Sequence, residues 1–148
     1  MTDLFDRILL LKKSPIFSEV VTEDLRIIAQ ALEKEVYLKS DRVFDINEQG
    51  DHMYMLQSGR VGISAHSDPA VHEYVAILMP GECFGEMNLL DDQPRSATAH
   101  VLEDSHMLSL EKGKLRELIT ICPELGLGML KSMSLRLRQT TTLLNEKP

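Results

Sequence analysis

Cysteine and aromatic residues are scarce in this chain. It contains two cysteines, Cys83 and Cys122, no tryptophan, and only 5% aromatic residues. The two cysteines lie far apart and form no Cys-x-x-Cys pair or Cys/His cluster, which excludes an iron–sulfur sensor, because such a centre needs more thiols. We expect both to be small buried side chains in a reduced, cytoplasmic protein.

Long hydrophobic runs and basic runs are also missing. The longest apolar run near the start covers Ile8 to Leu11, which is too short for a signal-peptide core or a membrane span. The net charge is −7, whereas a domain that binds DNA or RNA normally carries a basic face. We therefore expect no membrane partner and no direct nucleic-acid partner. An anionic ligand is still possible, because one buried arginine and a few backbone N–H groups can reverse the field locally.

Enzyme patterns are absent as well. The sequence has no Ser-His-Asp arrangement, P-loop or His-Glu-x-x-His pattern. The histidines are widely spaced and include no His-x-His pair, which argues against a metal site and a cupin-type enzyme; they are His52, His66, His72, His100 and His106. We expect neither catalysis, nor a metal, nor a catalytic cofactor.

The pattern of the first part of the chain is helical. The overall composition, 43% hydrophobic and 26% charged, is that of a globular domain. Thr2-Asp3 is placed to cap a first helix that ends at Ser14-Pro15, and Thr22 begins a second, amphipathic helix that ends near Lys34. Residues 1–35 therefore form a helical section.

Residues 36–111 show a different period. Short apolar runs alternate there with turn clusters, which is typical of an antiparallel sandwich or barrel, and we count about eight strands. Among the predicted strands are Met53 to Leu56, Val61 to Ile63, Thr98 to Leu102 and His106 to Leu110. The turn clusters are Gln49-Gly50-Asp51, Ser58-Gly59, Ser67-Asp68-Pro69 and Pro80-Gly81.

Helix returns over residues 112–147. A short helix covers Leu115 to Cys122, and a long one runs from Pro123 to about Asn145. The predicted fold is thus one α+β domain over residues 1–148: an eight-stranded antiparallel, jelly-roll-like β-roll with N-terminal helices and a long C-terminal helix.

The long helix carries an apolar seam at alternating spacings of four and three, the heptad pattern of a two-helix contact. It consists of Gly126, Leu130, Met133, Leu137, Thr140 and Leu144. Either this seam packs on its own domain, or it joins two parallel helices in a homodimer.

The segment from Gly81 to Ala99 has the residue types of an anion site. Gly85 would let a phosphate approach the backbone closely, and Arg95 could add a charge-assisted contact to it. Glu86 would supply an acceptor for a sugar hydroxyl. Spacing alone leaves a second interpretation open, in which Arg95 forms a surface ion pair with Glu86 or with the nearby pair Asp91-Asp92.

The same segment resembles the phosphate-binding cassette of the cyclic-nucleotide-binding domain family, the domain of catabolite activator proteins and protein kinase A regulatory subunits. The matching residues are Phe84-Gly85-Glu86, Leu89-Leu90 and Pro94-Arg95-Ser96-Ala97-Thr98. Gln49 to Tyr54, Ser58 to Val61 and Pro80 to Glu82 are similar to the family's turns, so the likeness covers nearly the whole chain. Asn88 departs from the small residue that is usual at its position, a change that should not abolish binding.

The resemblance implies a role for each matching residue. Glu86 accepts the ribose 2′-hydroxyl, Arg95 neutralises the cyclic phosphate, and Ser96 with the Ala97 N–H donates to it. The full implied sugar-phosphate set is Phe84, Gly85, Glu86, Met87, Arg95, Ser96 and Ala97. A serine at position 96 and the helix residues Thr140 and Thr141, which would contact the base, favour cAMP, with cGMP as the other possibility.

The expected function is therefore that of a sensor module that binds a cyclic nucleotide and relays occupancy through its helices, as a homodimer joined by the C-terminal helix. The alternative is a β-roll that has lost its ligand and serves as a dimerisation or interaction scaffold. The chain ends about where the family's output segment would attach, so we expect either a domain of a larger protein or a small protein acting through a partner.

Overall fold

The computed structural model describes residues 4–66, 68 and 73–146. The described residues form two compact units. One consists of the described residues within 1–30 and 116–148, and the other of those within 31–115. In chain order the elements are α1 (Leu4–Lys13), α2 (Thr22–Ala31), β1 (Glu33–Tyr37), β2 (Arg42–Phe44), β3 (His52–Ser64), β4 (Ala76–Leu78), β5 (Cys83–Phe84), α3 (Met87–Asp91), β6 (Thr98–Glu111), α4 (Lys112–Ile121) and α5 (Pro123–Glu146). The predicted Thr2-Asp3 cap, most of the Ser67-Asp68-Pro69 turn and His72 lie outside the described residues.

The strand-containing unit is built on one antiparallel sheet. Its strands are ordered β1-β6-β3-β4, with β2 also paired to β6 and β5 also paired to β3. The inward side chains form one apolar cluster, which comprises Tyr54, Leu56, Val61, Phe84, Ala99, Val101 and Met107. The predicted α+β class, with an antiparallel β-roll between N-terminal helices and a long C-terminal helix, is confirmed.

The strand count differs from the prediction, since the described residues contain six strands and not eight. The Ser58-Gly59 cluster is not a hairpin turn but an irregularity inside β3, where the register with β6 shifts between Leu56 and Val61. Gly59 takes a left-handed conformation there, with φ of +101°. A glycine can adopt this conformation without steric cost, so the strand bulges and continues. β6 likewise runs unbroken through both of the segments predicted as separate strands.

The helical unit buries one face of each of its longer helices. The buried residues are Ile8 and Leu11 on α1, Leu25, Ile28 and Ala29 on α2, and Leu125, Gly128 and Met129 on α5. A Cβ at Gly128 would lie 1.9 Å from the carbonyl oxygen of Ile16, so only glycine permits this close approach of two backbones. The predicted Pro123 start of α5 is confirmed.

The second helix ends earlier than predicted, at Ala31 instead of near Lys34. The reason is that Glu33 to Tyr37 pair with Ser109 to Ser105 of β6, so sheet hydrogen bonds take over the backbone of those residues. In the part of the chain that the structure describes, no single helix is long and apolar enough to cross a membrane, although α4 and α5 taken together as a bent pair meet that test.

Candidate functional site

The loop that follows β5 changes direction at Gly85. Phe84 is the last residue of β5 and pairs with Tyr54 of β3. Gly85 then adopts φ of +82°, a conformation that side chains disfavour. Glu86 follows as the residue before α3, and Asp92 ends that helix in the left-handed conformation. The loop thus leads from the core of the sheet into a single turn of helix and back toward Arg95.

Arg95 is buried, with 4% of its surface exposed. Its Nη1 donates to the Gly85 carbonyl at 2.9 Å and to Asn88 Oδ1 at 2.7 Å. Its Nη2 donates to the His52 carbonyl at 2.7 Å. The interpretation of Arg95 as one half of a surface ion pair is therefore wrong, because the guanidinium is turned inward and holds neutral acceptors of the loop and of β3.

The chain between Phe44 and Gly50 also contacts Arg95. The Arg95 backbone N–H donates to the Glu48 carbonyl, and its carbonyl accepts from Asn47 N–H, both at 2.8 Å. The guanidinium carbon lies 4.0 Å from the centre of the Phe44 ring. At Gly50 a Cβ would come within 2.0 Å of Arg95 Nε, so a side chain there would occupy the place of the guanidinium.

One polar atom of this arrangement has no partner among the described residues: Arg95 Nε is buried and makes no hydrogen bond. Burial lowers the pKa of Arg95, an effect that Tyr54 and the carboxylates of Asp51, Glu48 and Glu86 oppose. A buried N–H of a charged group costs free energy unless it finds an acceptor. An anion at Nε would satisfy the donor and neutralise the charge, so the site fits a negatively charged ligand.

The other predicted sugar-phosphate residues differ in exposure. Glu86 is buried, with 2% of its surface exposed, and its carboxylate can accept from a hydroxyl. Phe84 is buried in the core beside this loop. Met87 and Ser96 are exposed, and Ala97 is half-buried. The structure thus joins Gly85 and Arg95 directly and places Glu86 one residue further along the same loop.

Sequence reasoning missed four residues that surround the Arg95 guanidinium. Phe44 lies under the guanidinium, the His52 carbonyl and the Asn88 side chain accept from it, and Gly50 leaves room for it. The glycine turn at Gly50 was recognised, but only as a turn. Backbone carbonyls carry no signature in the sequence, whereas an amide at position 88 was visible as a departure from the family pattern.

The predicted base and dimer residues belong to the other compact unit. Thr140 and Thr141 are exposed, and their hydroxyls donate to the carbonyls of Arg136 at 3.0 Å and Leu137 at 2.9 Å. In the seam, Leu130, Leu137 and Leu144 are each at least 63% exposed. Gly126 and Met133 are half-buried.

Comparison with known proteins decides the family. The model of the cyclic nucleotide-binding domain matches residues 34–121, more than half of the chain and the whole of the loop just described. The chain belongs to the cyclic nucleotide-binding domain family. The resemblance of the cassette residues to this family is thereby confirmed. Within the described residues, no group of three or more His, Cys, Asp or Glu side chains could hold a metal ion.

Relatives within the family include regulatory proteins of two kinds. The chain is 30% identical to the cyclic AMP receptor protein of Thermus thermophilus over 129 residues, which are 87% of this chain and 60% of that protein. It is 30% identical over 109 residues to the cAMP-dependent protein kinase regulatory subunit of Debaryomyces hansenii, 74% of this chain and 23% of that one. The crystal structure of the Thermus thermophilus catabolite activator protein superimposes with a TM-score of 0.81 at 29% identity, covering 89% of this chain and 62% of that one.

The chain therefore spans less than two thirds of the length of these relatives. The chain shares the family domain with these relatives, and the comparison does not extend to the rest of their length.

Proposed function

We propose that this chain is a regulatory sensor module that reversibly binds a cyclic nucleotide, cAMP in preference to cGMP, and relays occupancy through its helices. The observation that carries the proposal is the buried guanidinium of Arg95, whose Nε–H has no partner among the described residues. In a family of cyclic nucleotide-binding domains, a cyclic phosphate is the anion that suits this donor.

The phosphate end of the ligand would lie against Arg95. The three hydrogen bonds to Gly85, Asn88 and His52 leave Nε–H and one N–H of Nη2 for the ligand. These acceptors are neutral, so they orient the guanidinium without cancelling its charge. The cyclic phosphate carries one negative charge, which balances that of the arginine inside a buried site.

The ribose would lie on the Gly85–Glu86 side of the loop. Glu86 is acceptor-only when ionised, so it can accept a hydrogen bond from the 2′-hydroxyl of the ribose. Phe84, Met87, Ser96 and Ala97 complete the proposed sugar-phosphate set, with Ser96 and the Ala97 N–H as further donors. The exposed positions of Met87 and Ser96 agree with a ligand that enters from solvent.

The preference for adenine is supported by the hydroxyls of Thr140 and Thr141. Each donates its proton to a helix carbonyl, which leaves the oxygen as an acceptor. The exocyclic group at position six of adenine is an amine and can donate to such an oxygen, whereas guanine presents a carbonyl there. In the proposed complex these threonines contact the base and favour cAMP. The relative from Thermus thermophilus is itself described as a cyclic AMP receptor.

We propose the C-terminal helix as both the dimer contact and the readout. Leu130, Leu137 and Leu144 are exposed at heptad spacing, which suits a second copy of the same helix. A nucleotide that contacts Thr140 would favour one arrangement of the two helices, since a ligand shifts an equilibrium only through contacts that differ between the two states. The output would then lie with a further domain or a partner.

Calorimetry on the purified chain tests the proposal. Titrations with cAMP, cGMP and linear AMP would be compared under the same buffer and salt. Binding of cAMP more tightly than cGMP, with AMP weakest, supports the proposal. No heat with either cyclic nucleotide at millimolar concentration would refute it. If the same sample were a stable dimer, the scaffold interpretation would then replace it.

A further inference from the structure

We infer that Asn88 is a positioning residue for the proposed ligand, because its side chain holds Arg95 in the orientation that receives the phosphate. This inference rests on the proposed function, and Asn88 departs from the small residue expected at its place in the cassette. Asn88 is 6% exposed, so its amide is removed from bulk water. A buried amide must find partners inside the protein.

Both ends of the Asn88 amide are used. Oδ1 accepts from Arg95 Nη1 at 2.7 Å, and Nδ2 donates to the Gly50 carbonyl at 2.9 Å. The orientation of the amide follows from the chemistry of its partners. A guanidinium can only donate and a carbonyl can only accept, so a flipped amide would lose both hydrogen bonds.

One of the two bonds is made to the guanidinium itself, and the other to the main chain beside it. Arg95 Nη1 is held between Asn88 Oδ1 and the Gly85 carbonyl. The main chain at Gly50 lies against Nε, since a Cβ there would be only 2.0 Å away. Asn88 therefore links the guanidinium of Arg95 to the Gly50 main chain beside it. The Nε–H, which the phosphate would meet, is then fixed in direction before the ligand arrives.

Loss of the Asn88 side chain would leave one Nη1 N–H without its acceptor and the Gly50 carbonyl without its donor. The guanidinium would keep only the Gly85 bond at Nη1 and the His52 bond at Nη2, so it would turn more often about its own bonds, and the ligand would have to order it on binding. A hydrogen bond to a charged group contributes about 1.5–3 kcal/mol, and a factor of ten in affinity corresponds to about 1.4 kcal/mol. We therefore expect Asn88→Ala to weaken cAMP binding by about 10- to 100-fold.

The orientation of Arg95 can be measured without any ligand. In isotope-labelled protein, a guanidinium held at both Nη1 and Nη2 gives separate NMR signals for the two nitrogens, and a freely turning one gives an averaged signal. The Arg95 signals are assigned by their disappearance in Arg95→Lys. We expect separate signals in the parent and faster exchange between them in Asn88→Ala, because Nη1 loses one of its two acceptors. The same exchange rate in the parent and in Asn88→Ala would overturn the inference.

Two variants distinguish positioning from a general loss of structure. Val101→Ala removes buried apolar volume from the core cluster but none of the hydrogen-bond partners of the guanidinium, so it should lower stability while leaving the exchange of the Arg95 signals unchanged. Asn88→Asp keeps an acceptor for Nη1 but adds a negative charge, so Arg95 should stay ordered while cAMP binding weakens. Faster exchange of the Arg95 signals in Val101→Ala, or unchanged binding in Asn88→Asp, would contradict a specific role of the neutral amide.

Calorimetry then separates this inference from the proposed function. Weaker cAMP binding by Asn88→Ala, with no further loss when it is combined with Arg95→Ala, supports action through Arg95. Equal binding by parent and Asn88→Ala overturns the inference and leaves the proposed function intact. If the parent bound no cyclic nucleotide but Asn88→Ala sped up the exchange of the Arg95 signals, the proposed function would fail and the holding of Arg95 by Asn88 would stand.

Discussion

The guanidinium of Arg95 and the ring of Phe44 are in contact, with 4.0 Å between the guanidinium carbon and the ring centre. The Phe44 ring also lies 6.0 Å from that of Phe84 and 6.2 Å from that of Tyr54, centre to centre. Both of these neighbours belong to the apolar core of the sheet. Phe44 thus connects the charge of Arg95 to the aromatic part of the core. The position of the arginine that we propose to hold the ligand therefore depends on how strands β2, β3 and β5 pack.

Phe44→Leu tests this contact. A cation–π contact contributes about 0.5–2 kcal/mol, which corresponds to about 2- to 30-fold in affinity. We expect cAMP binding to weaken by a factor in that range, while the leucine preserves most of the apolar volume. Calorimetry measures the affinity, and urea unfolding followed by circular dichroism checks that the fold is retained. Unchanged affinity would mean that the ring contributes packing alone.

Gly50→Ala tests the space beside Arg95 Nε. A Cβ would lie 2.0 Å from that atom, so the guanidinium must move. We expect cAMP affinity to fall by at least about tenfold, equivalent to about 1.4 kcal/mol. Gly113→Ala is the matched control, because the nearest atom to a Cβ there is the carboxylate end of Glu111 at 3.2 Å, which can move aside. If both variants bound like the parent, the Gly50 main chain would not constrain Arg95.

Gly59→Ala tests the bulge in β3. Gly59 has φ of +101°, and a Cβ there would lie 2.7 Å from the Asp104 carbonyl oxygen. Left-handed strain and overpacking each cost about 1–3 kcal/mol, so we expect the free energy of unfolding to fall by about 2–6 kcal/mol. Urea unfolding monitored by circular dichroism measures this, with Gly113→Ala again as the control. A loss below about 0.5 kcal/mol would show that the strand can pass this point without glycine.

That bulge shows where sequence reasoning succeeded and where it stopped. Alternating apolar residues correctly predicted extended chain on both sides of Ser58-Gly59, because burial on one face of a sheet requires that period. The pair itself is compatible with a hairpin turn and with a bulge. Only the pairing of β3 with β6 along its whole length decides between them, and this pairing depends on residues about forty positions away.

The candidate site, too, was predictable from the sequence only in part. The residue types of Gly85, Glu86 and Arg95 predicted an anion site, because each suits one part of a sugar phosphate, and the site stays a prediction. Their spacing could not say whether Arg95 faces solvent or the interior. The outcome depends on the His52 carbonyl and on the Phe44 ring, which the sheet brings to Arg95 from distant parts of the chain.

Leu137→Glu tests the proposed dimer. Leu137 is 68% exposed in the single chain, so a glutamate there should leave the monomer fold unchanged. In a parallel two-helix contact it would place two like charges beside each other in an apolar seam. We expect light scattering to show a dimer for the parent and a monomer for the variant. A parent that is already a monomer at high concentration would contradict the dimer, as would a variant that stays dimeric.

The most direct test of the central claim is the affinity for cAMP of Arg95→Ala relative to the parent, measured by calorimetry. Truncating one side of a buried charge pair costs about 2–5 kcal/mol, so we expect binding weaker by about 30- to several-thousand-fold. Arg60→Ala is the matched control, because Arg60 is a partly exposed arginine of the same sheet that pairs with Glu103. It should bind cAMP like the parent. A change of less than about threefold in Arg95→Ala, or an equal loss in Arg60→Ala, would show that Arg95 does not hold the phosphate.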